Sequence, residues 1–287
     1  MEKQPDKKSG TAFILLICAY FIIERRGNDV KISVVIVVYN KSCRDSLTCS
    51  TLMQATQRPD YLLIMDNSTE DYGNAQYCEE RGWQYYSMKG NAGLAKAYNA
   101  AFPLIREKTD LVVWADDDTV FPENYCKELL QSAKAHPDDS VFLPFVQSGA
   151  RYISPCIAGK YRVYPVQSAD ELEVKPVTAI NSGMAVRASV YDGYRYDETL
   201  FLDYIDHDFM RWCRIQKITF HIMQNVILKQ SFFSDSKPPR KAALSRYKIF
   251  SADFRTYSKK CGNNPIITGL QLLKNRVRIE ITCDRKE

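Results

Sequence analysis

From Lys31 onward, short apolar runs alternate with amphipathic stretches. The first run, Lys31 to Val38, is β-branched and almost continuously apolar, which predicts a strand buried on both faces of a parallel sheet. Four similar runs predict further strands at Tyr61–Met65, Trp83–Ser87, Leu111–Trp114 and Val141–Pro144. The stretches between them predict helices at about Arg44–Thr56, Gly93–Ile105 and Glu123–Ala135. This alternation predicts an α/β fold with a mainly parallel sheet flanked by helices.

The alternation weakens after Phe145. We expect an irregular, loop-rich insertion from Gly149 to Pro176, and then a strand over Asn181–Val186 in which Gly183 allows the backbone to approach a ligand closely. Further along, Asp203, Asp206 and Asp208 lead into a helix predicted over Phe209–Ile215.

Polar residues end three of the predicted strands: Tyr39-Asn40, Asp66-Asn67 and Asp116-Asp117-Asp118. In parallel sheets, ligands bind beyond the carboxyl ends of the strands, so these residues are expected at one binding edge. Three consecutive carboxylates beside a buried strand are costly unless a cation lies nearby. Mg²⁺ and Mn²⁺ prefer carboxylate oxygens and often bridge to phosphates, whereas a solvated acidic turn is the alternative.

The charge of the chain is unevenly distributed. Residues Lys237 to Glu287 contain 13 Lys/Arg and 4 Asp/Glu, a net charge of +9 that leaves −4 for the remainder of a chain of net +5. This basic tail, which we expect to be helical, suits either an anionic membrane surface or an ordinary solvated face. It carries no recognisable nucleic-acid-binding module, so nucleic acid is not expected as a partner.

Residues 1–29 form a separate extension. Lys3, Lys7 and Lys8 precede an apolar run of 12 residues, Ala12 to Ile23, which is too short to span a bilayer as a helix. An interfacial anchor and an additional packing helix both remain open. The nine cysteines are scattered without a CxxC pair, which favours free thiols in a reducing cytosol.

Six segments together carry a resemblance to a known family: SVVIVVYN, IMDNST, GNAGLAKAYNAA, WADDDTVFP, NSGMAVR and FLDYIDHDF. Their order and spacing resemble glycosyltransferase family 2 over about Lys31 to Phe233, and most of all bacterial rhamnosyltransferases and galactofuranosyltransferases. The resemblance implies a GT-A fold, inverting transfer from a UDP- or dTDP-sugar with Mg²⁺ or Mn²⁺, and a glycan or lipid-linked acceptor. It also implies a cytoplasmic protein, peripheral on the inner face of the membrane.

The resemblance assigns donor-binding roles to the first half. Tyr39 and Asn40 match the segment that holds the pyrimidine base by stacking, and Asp66 matches the carboxylate that accepts the base N3–H. Asn91 and Gly93 match the segment beside the diphosphate. Asp116 and Asp118 match the two metal-binding ends of the DxD motif, and Asp117 between them is expected near the ribose.

In the second half, Asp206 matches the catalytic base. The residues expected to contact the donor sugar or the acceptor are Asn181, Gly183, Asp203, His207, Asp208 and Arg211. Asp208 could equally be an acid favoured by the helix dipole, and Arg211 could pair with the acidic cluster, bind phosphate or be exposed. The chain departs from its relatives at Gln230, where they commonly place a metal-binding His; either Gln230 or His221 could take that place.

We therefore divide the chain into an extension (1–29), a catalytic domain (30–235, with a nucleotide-binding half to 145) and a basic tail (236–287). Two other functions stay open: a degenerate nucleotide-sugar-binding module, and a sugar-nucleotide pyrophosphorylase. The second is disfavoured because no glycine-rich loop follows the first strand. The sequence leaves the sugar, the acceptor and the oligomeric state undetermined.

Overall fold

The computed structural model describes residues 30–172, 175–230 and 239–283, so the apolar N-terminal run lies outside the described residues. The first half alternates as predicted: β1 Ile32–Val38, α1 Leu47–Gln54, β2 Tyr61–Asp66, α2 Asn74–Glu79, β3 Gln84–Ser87, α3 Leu94–Ile105, β4 Leu111–Asp116, α4 Tyr125–Ala135 and β5 Val141–Ser148. Only the short helix α2 had no counterpart in the sequence-based prediction.

The second half is more regular than predicted. The expected loop-rich insertion contains three short strands, β6 Arg151–Ser154, β7 Cys156–Ala158 and β8 Val163–Pro165. They are followed by β9 Val177–Thr178, β10 Met184–Arg187, α5 Ile205–Ile215, β11 Phe220–Lys229, α6 Arg240–Lys260 and α7 Pro265–Thr282. Helix α5 begins four residues before the predicted Phe209, so Asp206 and Asp208 lie in its first turn.

The main sheet has the strand order β11-β5-β10-β4-β1-β2-β3, with β6 paired to β5. All neighbours in that order are parallel except β10, which runs antiparallel between β4 and β5. Val37 of β1 pairs with Asp116, and Val38 pairs with Asp66. The predicted polar strand ends therefore lie side by side at one edge.

The core fills both faces of this sheet, as the β-branched runs predict. Val35 and Val37 of β1 point to one face and pack with α3 and α5, while Val34 and Ile36 point to the other and pack with α1 and α4. The result is a three-layer, mainly parallel α/β fold, which confirms the predicted GT-A class.

The basic tail is a helical hairpin packed on this domain. Helices α6 and α7 run antiparallel: Tyr247 Oη donates to Leu272 O at 2.6 Å, and Arg240 forms an ion pair with Glu280. Phe254 of α6 is buried, so the hairpin belongs to the folded body. Within the described ranges, every helix is too short or too polar to cross a bilayer.

Candidate active site

A cavity of about 1260 Å³ opens beyond the carboxyl ends of β1 and β4. It is closed on one side by the first turn of α5 and on another by α6 and α7. Many of the predicted site residues line it: Tyr39, Asn91, Gly93, Asp116, Asp117, Asp118, Asn181, Asp203, Asp206 and His207. Residues nearly 170 positions apart in sequence therefore share one cavity.

The acid triplet is held by the N-terminal region of α1. Ser46 Oγ donates to Asp117 O at 2.7 Å, and Thr48 Oγ1 donates to the carbonyl of Asp116. The Asp117 carboxylate forms an ion pair with Lys41, Nζ to Oδ1 at 2.5 Å. Asp117 is thus neutralised by the protein, which leaves Asp116 and Asp118 as the carboxylates available for a cation.

Gln230, at the end of β11, joins these two carboxylates. Its Nε2 lies 3.0 Å from Asp116 Oδ2 and 2.9 Å from Asp118 Oδ1. Its Oε1 is buried and has no hydrogen-bond partner within the described residues. Of the two alternatives from the sequence, Gln230 therefore occupies the place beside the carboxylates.

Burial raises the pKa of Asp116 to about 6, although hydrogen bonds from Ser182 and Gln230 oppose that shift. Burial also raises the pKa of Asp118. Two desolvated carboxylates joined only by a neutral amide form an oxygen-rich set that a divalent cation would stabilise. The residues present fit Mg²⁺ or Mn²⁺, with Asp116 and Asp118 as ligands.

The three acids around the start of α5 have different partners. Asp203 is bound by Arg246, and Asp208, which is 4% exposed, is paired with Lys260 and Arg211. Asp206 lines the cavity and forms no ion pair within the described part of the chain. Of the three, Asp206 is the carboxylate available to take a proton.

The loop before α5 is fixed by one buried side chain of α6. Asp253, which is 2% exposed, accepts backbone hydrogen bonds from Phe201, Leu202 and Asp203 at 2.8 to 2.9 Å. Leu94 N in turn donates to Phe201 O at 2.7 Å. The hairpin therefore sets the position of the acidic cluster relative to the sheet edge.

Some of the remaining predicted residues serve local structure. Asn40 Oδ1 accepts from Thr69 N at 2.9 Å and links two loops. Asp66 is buried and accepts from Ser68 N, Asn74 Nδ2 and Tyr85 Oη, and it lies behind the cavity lining.

Two further residues lie among the predicted sugar contacts. Asn181 lines the cavity with a buried amide that makes no well-formed hydrogen bond among the described residues. His207 Nδ1 lies 2.7 Å from Thr178 Oγ1.

The structure also bears on the expectations for Gly183, Arg211 and His221. Gly183 has a φ of +74°, and a Cβ there would lie 2.4 Å from Leu228 Cδ2, so its backbone angle and its packing against β11 both favour glycine. Gly183 does not line the cavity. Arg211 points to Asp208 and does not line the cavity. His221 lies at the opposite end of β11 from Gln230, stacked on His136 at 3.8 Å, and so cannot complete the carboxylate site.

Sequence reasoning missed Lys41, Arg246, Asp253 and Lys260. The signal available was the excess of Lys and Arg in the tail, which we interpreted as facing either an anionic membrane surface or solvent. Two of those cations in fact neutralise Asp203 and Asp208.

Comparison with known proteins agrees with this geometry. Residues 33–155 match the sequence profile of glycosyl transferase family 2. A structure of S. aureus TarS superposes on this chain with a TM-score of 0.53 at 13% sequence identity. The alignment covers 89% of this chain and 44% of the TarS chain. TarS 1–349 in complex with UDP gives 0.53 at 14% identity, and its complex with UDP-GlcNAc gives 0.51 at 13%. These alignments cover 89% of this chain and 73% and 74% of those chains.

At such identities the solved structures support the fold alone, and no curated protein sequence matches the chain. The profile match covers the polar strand ends through β6 and includes four of the six sequence motifs, whereas NSGMAVR and FLDYIDHDF lie beyond it. The profile match over residues 33–155, the GT-A architecture and the aspartates at the sheet edge together indicate a glycosyl transferase family 2 domain in that part of the chain.

Proposed function

We propose that the protein is a metal-dependent inverting glycosyltransferase that moves a sugar from a UDP- or dTDP-sugar to a hydroxyl of a glycan or lipid-linked acceptor. One observation carries the proposal: a single cavity contains the Asp116–Asp118 carboxylate pair and the unpaired carboxylate of Asp206. Inverting transfer requires these two functions, a site for the leaving diphosphate and a base for the incoming hydroxyl.

The nucleotide would lie along the carboxyl edge of β1, β2 and β4. Tyr39 is about half exposed there and offers a ring face to the base, and Asn91 and Gly93 border the adjacent space. Asp66 is already engaged by three donors, so any contact to the base would have to share its oxygens. A divalent cation held by Asp116 and Asp118 would neutralise charge on the departing diphosphate.

The chemical step belongs to Asp206. Its carboxylate takes the proton of the acceptor hydroxyl while that oxygen forms a bond to the anomeric carbon. The bond from that carbon to the diphosphate oxygen breaks on the opposite face, and the electron pair leaves with the nucleoside diphosphate. Arg246 and Lys260 occupy the carboxylates of the neighbouring Asp203 and Asp208, which leaves Asp206 as the carboxylate that takes the proton.

The identity of the donor is open to direct measurement. The solved complexes of S. aureus TarS with UDP and UDP-GlcNAc support a uridine nucleotide. The motif resemblance supports dTDP-rhamnose or UDP-galactofuranose. A panel of nucleotide sugars, scored for Mn²⁺-dependent release of UDP or dTDP, should identify one donor above the others.

Two variants test the mechanism. Asp206→Asn and Asp118→Ala should each lower the transfer rate by about 10²-fold or more, while calorimetry should show that Asp206→Asn still binds the nucleotide with Mn²⁺. Full activity in both variants would disprove the mechanism. Nucleotide binding by the wild type without turnover of any donor would instead support the non-catalytic binding module.

We also propose that the protein works at the inner face of the cell membrane.

A further inference from the structure

Helix α7 exposes a stripe of large apolar side chains on the side away from the protein. Ile266, Leu270, Leu273, Val277 and Ile281 recur every three or four residues, which places them on one face of the helix. They are between 46% and 76% exposed. Such a contiguous apolar face on a folded protein marks an interaction surface.

The opposite face of α7 explains why the stripe is left outside. Thr268 and Leu272 are buried, and Leu272 O accepts the hydroxyl hydrogen bond from Tyr247 of α6. One face of the helix is therefore already packed against the rest of the protein. Among the described residues, nothing covers the stripe.

Basic residues border the stripe on both sides. At 100° per residue, Lys274 and Arg278 lie along one border and Arg276 along the other. All three are exposed, and none forms an ion pair within the described ranges. The single acid of the helix, Glu280, is already paired with Arg240.

We propose that this stripe, with its basic borders, docks the protein on an anionic lipid bilayer. An apolar face flanked by Lys and Arg is the pattern of a helix that lies in the membrane interface. Anionic lipid headgroups complement the unpaired cations, and the acyl boundary accepts the apolar side chains. A second copy of the chain fits less well, because a two-fold contact would bring these cations against their own counterparts.

The position of the stripe relative to the cavity deepens the proposed function, on which this part of the inference rests. Lys274 and Arg278 border the stripe and also line the cavity that contains Asp206. A bilayer on the stripe would therefore lie beside the cavity opening. An acceptor anchored in that bilayer through an anionic headgroup would meet these cations on its way to Asp206.

Vesicle flotation of the full chain tests the docking surface. The wild type should bind phosphatidylcholine vesicles that contain phosphatidylglycerol, and less so as salt is raised. The double variant Leu270→Ser/Leu273→Ser should bind at least about ten-fold more weakly. Arg276→Gln should bind about five-fold more weakly to the anionic vesicles, with little change on pure phosphatidylcholine.

A matched control is Ile215→Ser at the end of α5, where an equally exposed apolar side chain lies off the stripe, and it should bind like the wild type. Release of nucleotide from a soluble donor should be unchanged in the double variant. The binding result thus stands even if no donor is turned over.

Three results would overturn the proposal. Equal vesicle binding by the wild type and the double variant would place the membrane contact elsewhere. A wild type that fails to bind either vesicle would indicate that the stripe is already covered, for example by residues 12–23. A dimer that dissociates in the double variant, without vesicle binding, would assign the stripe to a second copy.

Discussion

The guanidinium of Arg246 binds both carboxylate oxygens of Asp203, with Nη1 to Oδ2 at 2.5 Å and Nη2 to Oδ1 at 2.6 Å. A bidentate pair of this kind is specific in geometry as well as charge. It ties helix α6 to the loop that leads into the first turn of α5. The C-terminal hairpin therefore forms part of the candidate site, and it pairs with Asp203 and Asp208 but not with Asp206.

Substitution of Asp206 should affect activity, whereas substitution of Asp208 should affect stability. Asp206→Asn should lower the transfer rate by about 10²- to 10⁴-fold, the usual contribution of a positioned base, with an unchanged melting temperature. Asp208→Asn should lower the unfolding free energy by about 1–3 kcal/mol because it leaves Lys260 and Arg211 with a neutral partner. Transfer assays and thermal melts on both variants check this, and a reversed pattern would refute the assignment of Asp206.

Asp253 should anchor the loop over residues 201–203. Asp253→Asn keeps the size of the side chain but removes its charge and one of the two acceptor oxygens. We expect a loss of about 1–3 kcal/mol in unfolding free energy, because three partly buried backbone N–H groups depend on that carboxylate. Denaturant unfolding measures the loss, and Asp138→Asn, at an exposed aspartate, is the control and should change it little. A loss no larger than in that control would contradict the anchoring role.

Gln230 should stabilise the carboxylate pair when metal is absent. Gln230→Ala removes the shared N–H donor, so we expect the metal-free protein to lose about 1–2 kcal/mol. Adding Mn²⁺ should then raise the melting temperature more in the variant than in the wild type. The control is Gln147→Ala, whose side chain donates to Gly149 O away from the acids. An equal Mn²⁺ effect in both variants would show that Gln230 does not act on the pair.

Gly93 should be required for close contact as well as for its backbone angle. A Cβ there would lie 2.7 Å from Phe201 Cδ2 and 2.9 Å from Phe201 O, at a φ of +90°. Gly93→Ala should therefore cost about 2–4 kcal/mol, through clash and strain together. Gly90→Ala, at a φ of +121° with open space around it, isolates the strain and should cost about 1 kcal/mol. Equal melting temperatures for the two variants would show that the predicted clash with Phe201 does not destabilise the protein.

Local patterns predicted the first half of the fold well. The β-branched run at β1 and the amphipathic stretch at α3 specify their own structure through burial on two faces or on one. The strand β10 begins three residues later than predicted and ends one residue later, because its pairing with Trp114 and Val141 is set by two distant strands. The short strands β6 to β8 were missed since each is stabilised by its neighbour rather than by an apolar run of its own.

The sequence by itself determined an α/β domain with carboxylates at one sheet edge and a candidate base at Asp206. Hydrophobic periodicity and the polar residues at strand ends are local properties of the chain, so the sequence alone was enough to predict these features. Only the tertiary structure decided which carboxylates are free. Lys41, Arg246 and Lys260 come from distant parts of the chain, and their pairing with Asp117, Asp203 and Asp208 leaves Asp116, Asp118 and Asp206 for function. Charge pairing acts through space, so no pattern along the chain could have shown it.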